Sequence, residues 1–159
     1  MVKNEIVIVI DQREQTPIRF PDGIKTEGGS LYSGDYSVKS LEHIFSVERK
    51  SIDDLCGSLT TGRDRFEREL HRLRGYRFKR VLIVGGTEDT IKRGEYRSKA
   101  HPNSILGSME TFEVRYDIPF VYAETNEEAA EIIIGWAQRF SREVLKDAQG
   151  LLNKDATGL

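Results

Sequence analysis

The sequence contains one cysteine and three histidines among its 159 residues, and it contains no long hydrophobic run. Because Cys56 is alone, an internal disulfide is excluded, and a single thiol is typical of a reducing interior. Three scattered histidines and one cysteine do not form a zinc site. No apolar run reaches the roughly 20 residues of a membrane span, and the N-terminus lacks a signal-peptide pattern. We therefore expect an intracellular protein, cytoplasmic if bacterial, viral or archaeal and nuclear if eukaryotic.

The sequence also lacks a strong overall charge, because its formal net charge is −2. Bulk charge therefore does not mark it as a nucleic-acid binder. Its cations are concentrated in residues 61–80, where eight arginines and lysines stand against three acids. A basic block inside an acidic chain is typical of a face that follows phosphates, but a solvated helix face with ion pairs four residues apart has the same composition.

The length of the chain predicts one α/β domain. Residues 5–10 are a nearly continuous β-branched run, which is typical of a strand buried on both faces. Apolar spacing and turn residues predict a short strand near 24–26, a hairpin at 36–38 and 44–47, a helix at 52–59, and a second helix that follows the break at 60–62 and ends near 74. The second half of the chain is predicted to contain a strand at 79–84, a short helix at 87–93, a helix at 104–116 with an apolar stripe ending at Val114, a strand at 118–122, and a last helix from 125 or 126. This order predicts a mixed central β-sheet flanked by helices on both faces. We expect the domain to span residues 1–146, with a flexible tail at residues 147–159.

The stretch that carries chemistry is Gly-Asp-Tyr at residues 34–36 followed by Val-Glu-Arg-Lys-Ser-Ile-Asp-Asp at residues 47–54. Residues two apart in a strand point to the same side, so Glu48 and Lys50 project together, roughly 7 Å apart along the strand. The opposite face then carries Phe45, Val47 and Arg49. Carboxylates that hold a hard divalent cation beside a lysine suit metal-assisted phosphodiester hydrolysis. The alternative is a charged strand edge without chemistry.

Three further acids allow two interpretations each. Asp11 ends the first strand, where binding groups gather in α/β sheets, or it caps the following turn. Asp53 and Asp54 lie in the first turn of a helix that Ser51 caps, where acids complement the helix dipole. We assign Asp53 to this helix-dipole role and Asp54 to the site.

Three stretches together resemble the nuclease domain of the XPF family of structure-specific DNA endonucleases. Residues 9–14, Val-Ile-Asp-Gln-Arg-Glu, are similar to the family's opening V-x-D-x-R-E. Gly-Asp at 34–35 and the run from Glu48 to Asp54 resemble the signature G-D, a spacer, then E-R-K-x-x-x-D. Residues 57–63 are similar to the family's G-S-L and G-R segment. The resemblance covers residues 5 to 145 and implies a restriction-endonuclease-like core.

The resemblance also implies a Mg²⁺ or Mn²⁺ cofactor, cutting near single-strand/double-strand junctions such as flaps and forks, and a homodimer. It places the chain in DNA repair or recombination. By motif, Asp35, Glu48 and Asp54 hold metal, and a backbone carbonyl near Arg49 is a further ligand. Lys50 positions or activates water, and the Arg49 side chain supports the site or contacts phosphate.

The remaining assignments concern a further acid and the cations. Asp11 matches an additional catalytic acid of the family, and Arg13 and Glu14 match its neighbouring arginine and acid. Arg63 resembles the arginine that approaches DNA phosphate. Arg65 and Arg68 of the basic block complete the predicted nucleic-acid contacts.

The chain departs from the family in two respects. Glu67 occupies a position near which the family commonly has glutamine. No segment after Phe140 matches the tandem helix-hairpin-helix motifs that usually follow the nuclease domain. We therefore expect a stand-alone nuclease domain or a fragment of a longer protein, with a separate DNA-binding partner replacing those motifs. The alternative to an enzyme is a non-catalytic DNA-binding or scaffold subunit of a nuclease complex.

Overall fold

The computed structural model describes residues 6–156, with side chains described through residue 153. Six strands and five helices occur in this part of the chain. In order, they are β1 (Val7–Asp11), β2 (Lys25–Gly29), β3 (Tyr36–Val38), β4 (Phe45–Ser51), α1 (Ile52–Leu59), α2 (Arg63–Leu73), β5 (Phe78–Val84), α3 (Glu88–Lys92), α4 (Pro102–Tyr116), β6 (Phe120–Ala123) and α5 (Asn126–Ala156).

The strands form one mixed sheet in the order β2-β1-β3-β4-β5-β6. β1 is parallel to the edge strand β2 and antiparallel to β3, and β3 and β4 form the predicted antiparallel hairpin. β4, β5 and β6 are parallel neighbours, joined by helical crossovers. Because β1 and β4 both run antiparallel to β3, they are parallel to each other, and their carboxyl ends point to the same end of the sheet. Asp11, the last residue of β1, is thus brought to the end of the sheet towards which Glu48 and Lys50 of β4 lie.

The helices cover both faces of the sheet, as predicted. One face packs against α1, α2 and α4 through a core that includes Leu55, Phe66, Ile83 and Phe112. The other face packs against α5 through residues such as Ile8, Phe45, Leu82 and Ile133. The alternation along β4 follows directly: Phe45 and Val47 lie in the α5-side core, so Glu48 and Lys50 face the α1 and α2 side.

The start of α1 is set by a local hydrogen bond. The Ser51 hydroxyl accepts a bond from the Asp54 backbone amide at 3.0 Å. Such a cap contributes about 1 kcal/mol to a helix. The buried residues of α1 are Ile52, Leu55, Cys56 and Leu59, which is the stripe expected from the sequence. Because α1 follows β4 without a loop, the cap holds Asp54 close behind the strand that carries Glu48 and Lys50.

One sequence expectation about the helices differs from the structure. Val114 does not continue the buried stripe of α4: its exposure is 87%, and Tyr116 takes the inward position because it lies four residues after Phe112. α5 continues through Ala156, so residues 147–156 of the expected tail are helical. The flexibility of that tail stays a prediction. Although α5 is long, neither it nor another helix in the described part is long and apolar enough to cross a membrane.

Candidate active site

A cavity of about 580 Å³ opens between the β3–β4 hairpin, the loop before β3, and helices α1 and α2. It brings together most of the residues assigned to the site from the sequence. The predicted residues that line it are Asp11, Arg13, Asp35, Glu48, Arg49, Lys50, Asp54 and Arg65. The hairpin therefore assembles a pocket in which acids from three separate segments meet cations.

Backbone hydrogen bonds to β1 and β4 hold Asp35 in place. Its backbone amide donates to the Val47 carbonyl at 2.8 Å, and its carbonyl accepts from the Asp11 amide at 2.9 Å. Its carboxylate Oδ2 accepts a hydrogen bond from the Arg49 backbone amide at 2.8 Å. Asp35 thus crosslinks β1 and β4, and its carboxylate is directed to the stretch between Glu48 and Lys50.

The carboxylates Asp35 and Glu48 both have raised pKa values, chiefly because both are buried. Burial raises the pKa of Glu48 from 4.5 to about 8, and the negative charge of Asp35 acts in the same direction. Burial also raises the pKa of Asp35 from 3.8 to about 6, although the hydrogen bond from Arg49 opposes this change. Perturbed acids in a cleft mark functional sites more often than structural ones.

Lys50 is the cation nearest to this pair. Its Nζ lies 3.6 Å from Glu48 Oε2, and its side chain is only 12% exposed. The ammonium also lies over the Phe66 ring, 4.9 Å from the centroid. Packing on Phe66 of α2 keeps the lysine inside the cavity, so it can interact with an anion that enters.

A divalent cation fits the chemistry of Asp35 and Glu48. Their hard oxygen ligands are those that Mg²⁺ and Mn²⁺ prefer, and a bound cation would compensate the burial that raises both pKa values. Among residues 6–156, however, no group of three or more His, Cys, Asp or Glu side chains is close enough to hold a metal ion. The third predicted ligand, Asp54, lines the same cavity from the exposed side of α1. The three acids are therefore not assembled as one cluster.

Asp11 is committed to hydrogen bonds within the chain. Its carboxylate accepts from Arg13 Nε at 2.7 Å and from the Leu31 amide at 2.9 Å. Burial favours the neutral acid, but the bonds from Arg13 and Leu31 outweigh it and hold the pKa of Asp11 below its ordinary value. Asp11 thus fills the turn-capping role that the sequence left open, and it ties the loop before β3 to the end of β1.

Arg49 faces away from the Glu48 side chain, as the strand alternation predicted. Its Nη1 donates to Glu14 Oε2 at 3.1 Å and to the Thr16 carbonyl at 2.6 Å. The same Glu14 oxygen accepts from the buried Tyr36 hydroxyl at 2.7 Å. This network fastens the segment after β1 to the hairpin, so the Arg49 side chain supports the site from the opposite face of the sheet.

The four predicted DNA-contacting arginines occupy three kinds of position. Arg13 and Arg65 line the cavity, and Arg68 is exposed outside it. Arg63 is used in packing: its Nη1 donates to Ser108 Oγ at 2.8 Å and to the Leu59 carbonyl at 3.1 Å, and its guanidinium lies on the Phe112 ring. Arg63 therefore joins α1, α2 and α4 and does not line the cavity.

The sequence profile of the ERCC4 domain family matches residues 10–135, which is most of the chain. The chain belongs to the ERCC4 domain family. This match, together with the structural similarities below, confirms the resemblance to the XPF nuclease domain.

Two solved structures and one curated protein are similar to this ERCC4 domain. XPF from Aeropyrum pernix superposes with a TM-score of 0.66 at 23% identity, over 85% of this chain and 61% of that one. The same protein in complex with DNA superposes with a TM-score of 0.64 at 22% identity, over 86% of this chain and 65% of that one. A protein of Methanocaldococcus jannaschii, named as a candidate ATP-dependent RNA helicase, is 28% identical over 138 residues, which are 86% of this chain and 16% of that protein. The chain thus spans less than two thirds of each relative.

The ERCC4 domain also places residues in the cavity that the sequence did not single out. Glu69 acts on Glu48, because its negative charge contributes to the raised pKa of that residue. Arg72, Phe66 and Tyr32 line the cavity as well. For α2, the signal was available: residues 65, 69 and 72 recur at helical spacing and therefore share one face. Tyr32 lies in a loop without periodicity, so no pattern pointed to it.

Glu67 has a structural role that its position in the basic block did not indicate. Its Oε1 accepts hydrogen bonds from Arg115 Nη1 at 2.6 Å and from the Tyr116 hydroxyl at 2.7 Å. The hydrogen bond from Tyr116 is the main reason that the pKa of Glu67 is lowered. Glu67 therefore joins α2 to the end of α4, away from the cavity.

Proposed function

We propose that this ERCC4 domain is a Mg²⁺- or Mn²⁺-dependent DNA endonuclease that hydrolyses phosphodiester bonds near single-strand/double-strand junctions. The observation that carries the proposal is the pairing of Asp35 and Glu48, two carboxylates with raised pKa values, with Lys50 in one cavity. An ordinary surface ion pair joins two opposite charges in water, so it does not explain why two carboxylates lie buried in the same cavity. Family membership and the fold of XPF support the same activity.

Asp35 and Glu48 would hold the metal ion, and Asp54 would contribute from the rim of the cavity, directly or through a water molecule. When bound, such an ion supplies positive charge for the phosphate oxygens and a water of lowered pKa. The hydrogen bond from Arg49 to Asp35 keeps one of that residue's carboxylate oxygens oriented while the other is free to bind. The chain thus places two carboxylates and a lysine in one cavity, which water and phosphate would share with the ion.

Lys50 would act on the phosphate and on the attacking water. Its ammonium is fixed between Glu48 and Phe66, where it can donate a hydrogen bond to the phosphoryl oxygen whose charge grows in the transition state. Water adds to phosphorus and gives up a proton to the solvent, the bond from phosphorus to the 3′ oxygen breaks, and that oxygen takes up a proton. The products are a 5′-phosphate and a 3′-hydroxyl.

The cations around the cavity would hold the rest of the DNA. Arg13 and Arg65 pair with Asp11 and Glu69, but their side chains are 72% and 82% exposed, so each still presents N–H groups to solvent that can bind a phosphate. We assign Arg68 to a more distant phosphate, and Arg63 to orienting α2. On family grounds we also propose a homodimer, and a separate DNA-binding partner or domain that provides affinity for the junction.

The proposal is tested by replacing Asp35 with asparagine, which keeps the size of the side chain and removes its charge. We expect Asp35→Asn to abolish Mg²⁺-dependent nicking of flap, fork and splayed-arm DNA while DNA binding is retained, because a neutral amide does not hold the cation. Cleavage is measured on labelled substrates with EDTA as the metal-free reference.

The matched control is Asp53→Asn. Asp53 lines the same cavity wall but forms an ion pair with Arg97 at 3.0 Å, so cutting should persist. If Asp35→Asn cuts at the wild-type rate, the proposed active site is wrong. If the wild-type protein binds junction DNA but does not cut it with either metal, the chain is a non-catalytic DNA-binding subunit.

A further inference from the structure

Tyr32 exposes an aromatic ring at the mouth of the cavity. Its exposure is 78%, and it is the only aromatic residue among the exposed large hydrophobic side chains in the described part of the chain. It lines the cavity together with Asp35 and Glu48. An exposed aromatic ring beside a cavity lined by acids, a lysine and arginines can stack on a ligand with a flat apolar surface.

The backbone on both sides of Tyr32 is held in place. The Leu31 amide donates to Asp11 at 2.9 Å, and the Leu31 carbonyl accepts from Arg13 Nη2 at 2.8 Å. On the other side, the Ser33 carbonyl accepts from the buried Ser46 hydroxyl at 2.8 Å. Leu31 and Ser33 are both buried. The position of Tyr32 is thus set by two anchors on β1 and β4, and little backbone entropy is lost when the ring binds a ligand.

The surroundings of Tyr32 match a nucleotide. Arg13, Arg65 and Arg72 line the same cavity, so guanidinium groups for phosphate lie near a ring that can stack on a base. Single-stranded nucleic acids are bound by this combination of basic groove and aromatic platform. In the interior of a duplex the faces of the bases are already stacked on each other, so an unpaired base offers its face to Tyr32 and an interior base pair does not.

We propose that Tyr32 stacks on an unpaired base at the mouth of the cavity, next to the phosphate that is cut. The identity of the ligand rests on the proposed endonuclease function, and the new element is the residue that selects the unpaired strand. The single-stranded arm of a junction then lies over the loop between β2 and β3. Tyr32 is a specificity residue here, since it contacts the base and leaves the metal and water to other groups.

The test measures binding separately from cutting. In the Asp35→Asn background with Mg²⁺, fluorescence anisotropy compares a splayed-arm DNA with a blunt duplex of the same length. Tyr32→Ala should weaken binding of the splayed arm by about tenfold, within the range that one lost base stack produces. Binding of the duplex should change less than twofold. Tyr32→Phe and Tyr32→Trp should keep the preference, whereas Tyr32→Leu should lose it because it is apolar but cannot stack.

Val114→Ala is the matched control, because Val114 is an exposed apolar residue 87% accessible and outside the cavity. It should leave both affinities unchanged. The proposal is overturned if Tyr32→Ala binds both DNAs as the parent does, if it weakens both equally, or if Tyr32→Leu behaves like Tyr32→Phe.

Failure of the two proposals can be told apart. If the wild-type chain cuts no DNA but its preference for the splayed arm depends on the ring, the endonuclease proposal fails and the stacking proposal stands. If the wild-type chain cuts junctions and Tyr32→Ala cuts them with the same KM and kcat, the stacking proposal fails and the endonuclease proposal stands.

Discussion

The folded chain holds the Glu48 side chain where its charged form is unfavourable. It lies on the inner face of β4 beside Asp35, with Lys50 as its near cation. Because its pKa is higher in the folded chain than in the unfolded one, the folded state binds more protons between pH 4.5 and about 8. The free energy of unfolding attributable to this group therefore falls as the pH rises through that window. Without a cation, the site destabilises the fold at neutral pH.

This argument predicts the effect of Glu48→Gln on stability. In EDTA at pH 8, the variant should be more stable than the wild type by about 1 kcal/mol or more, because a neutral amide is buried in place of a carboxylate. The difference should shrink as the pH falls towards 5. Urea unfolding at both pH values measures it, with Glu110→Gln as the control because Glu110 is exposed on α4. Equal stabilities at pH 8 would contradict the raised pKa.

At the scale of elements, the bend into the hairpin determines where Asp35 lies. Gly34 has φ +83°, and a Cβ atom at this position would lie 2.0 Å from Ser46 Oγ and 3.2 Å from the Val47 carbonyl oxygen. Both the conformation and the close approach to β4 therefore require glycine. The glycine that precedes the aspartate in the sequence motif is explained by this contact.

Gly34→Ala should lower both stability and activity. We expect a loss of at least about 2 kcal/mol in the free energy of unfolding, because left-handed strain and a steric clash add together. Nicking should fall with it, since Asp35 follows directly. Gly23→Ala separates the two causes: Gly23 has φ +92° but no atom within 4 Å of the added Cβ. This control should lose about 1 kcal/mol and keep activity. Equal losses for the two variants would mean that the contact with β4 is unimportant.

Helix α2 serves two purposes with its two faces. Phe66, Leu70 and Leu73 are buried, and Phe66 also carries Lys50 on its ring. Arg65, Glu69 and Arg72 form the cavity wall. The basic block of the sequence is thus divided by the helix into residues that face the site and residues such as Arg63 that pack against neighbouring helices.

At the scale of the whole molecule, the sheet brings the acids together, and helices form the wall of the cavity around them. β1, β3 and β4 bring Asp11, Asp35 and Glu48 to one edge, and α1 and α2 complete the cavity from one face. The opposite face packs against α5 through a separate core. A cation bound in the cavity would therefore act on the stability of the whole fold, since Glu48 lies in the central strand β4 and Asp35 directly precedes β3.

Mn²⁺ should stabilise the chain, and more so at higher pH. Protons compete with the metal for Glu48 below about pH 8. At saturating Mn²⁺ and pH 8, the midpoint of thermal unfolding should rise by about 3 °C or more, and the rise should be smaller at pH 6. Differential scanning calorimetry with and without EDTA measures this. Asp35→Asn should abolish the shift and Asp53→Asn should keep it. An equal shift in Asp35→Asn would place the metal elsewhere.

Much of this organisation could be predicted from local patterns. Alternation along β4 put Glu48 and Lys50 on one side, and the cap at Ser51 began α1 where the sequence indicated. These features depend on residues that are neighbours in the chain, so a short stretch contains the information. The end of the buried stripe on α4 was predicted wrongly at Val114, because apolar character alone does not distinguish an inward helix position from an outward one.

By itself, the sequence determined the elements, the hairpin and most of the acids and the lysine that line the cavity. Only the tertiary structure decided what each side chain meets: Asp11 is bound by Arg13 and Leu31, Arg63 is packed among three helices, and Asp35 raises the pKa of Glu48. It also put Tyr32 at the mouth of the cavity. The physical reason is distance. These interactions join residues from separate segments, and burial and Coulomb energies depend on separation in space, which no local pattern contains.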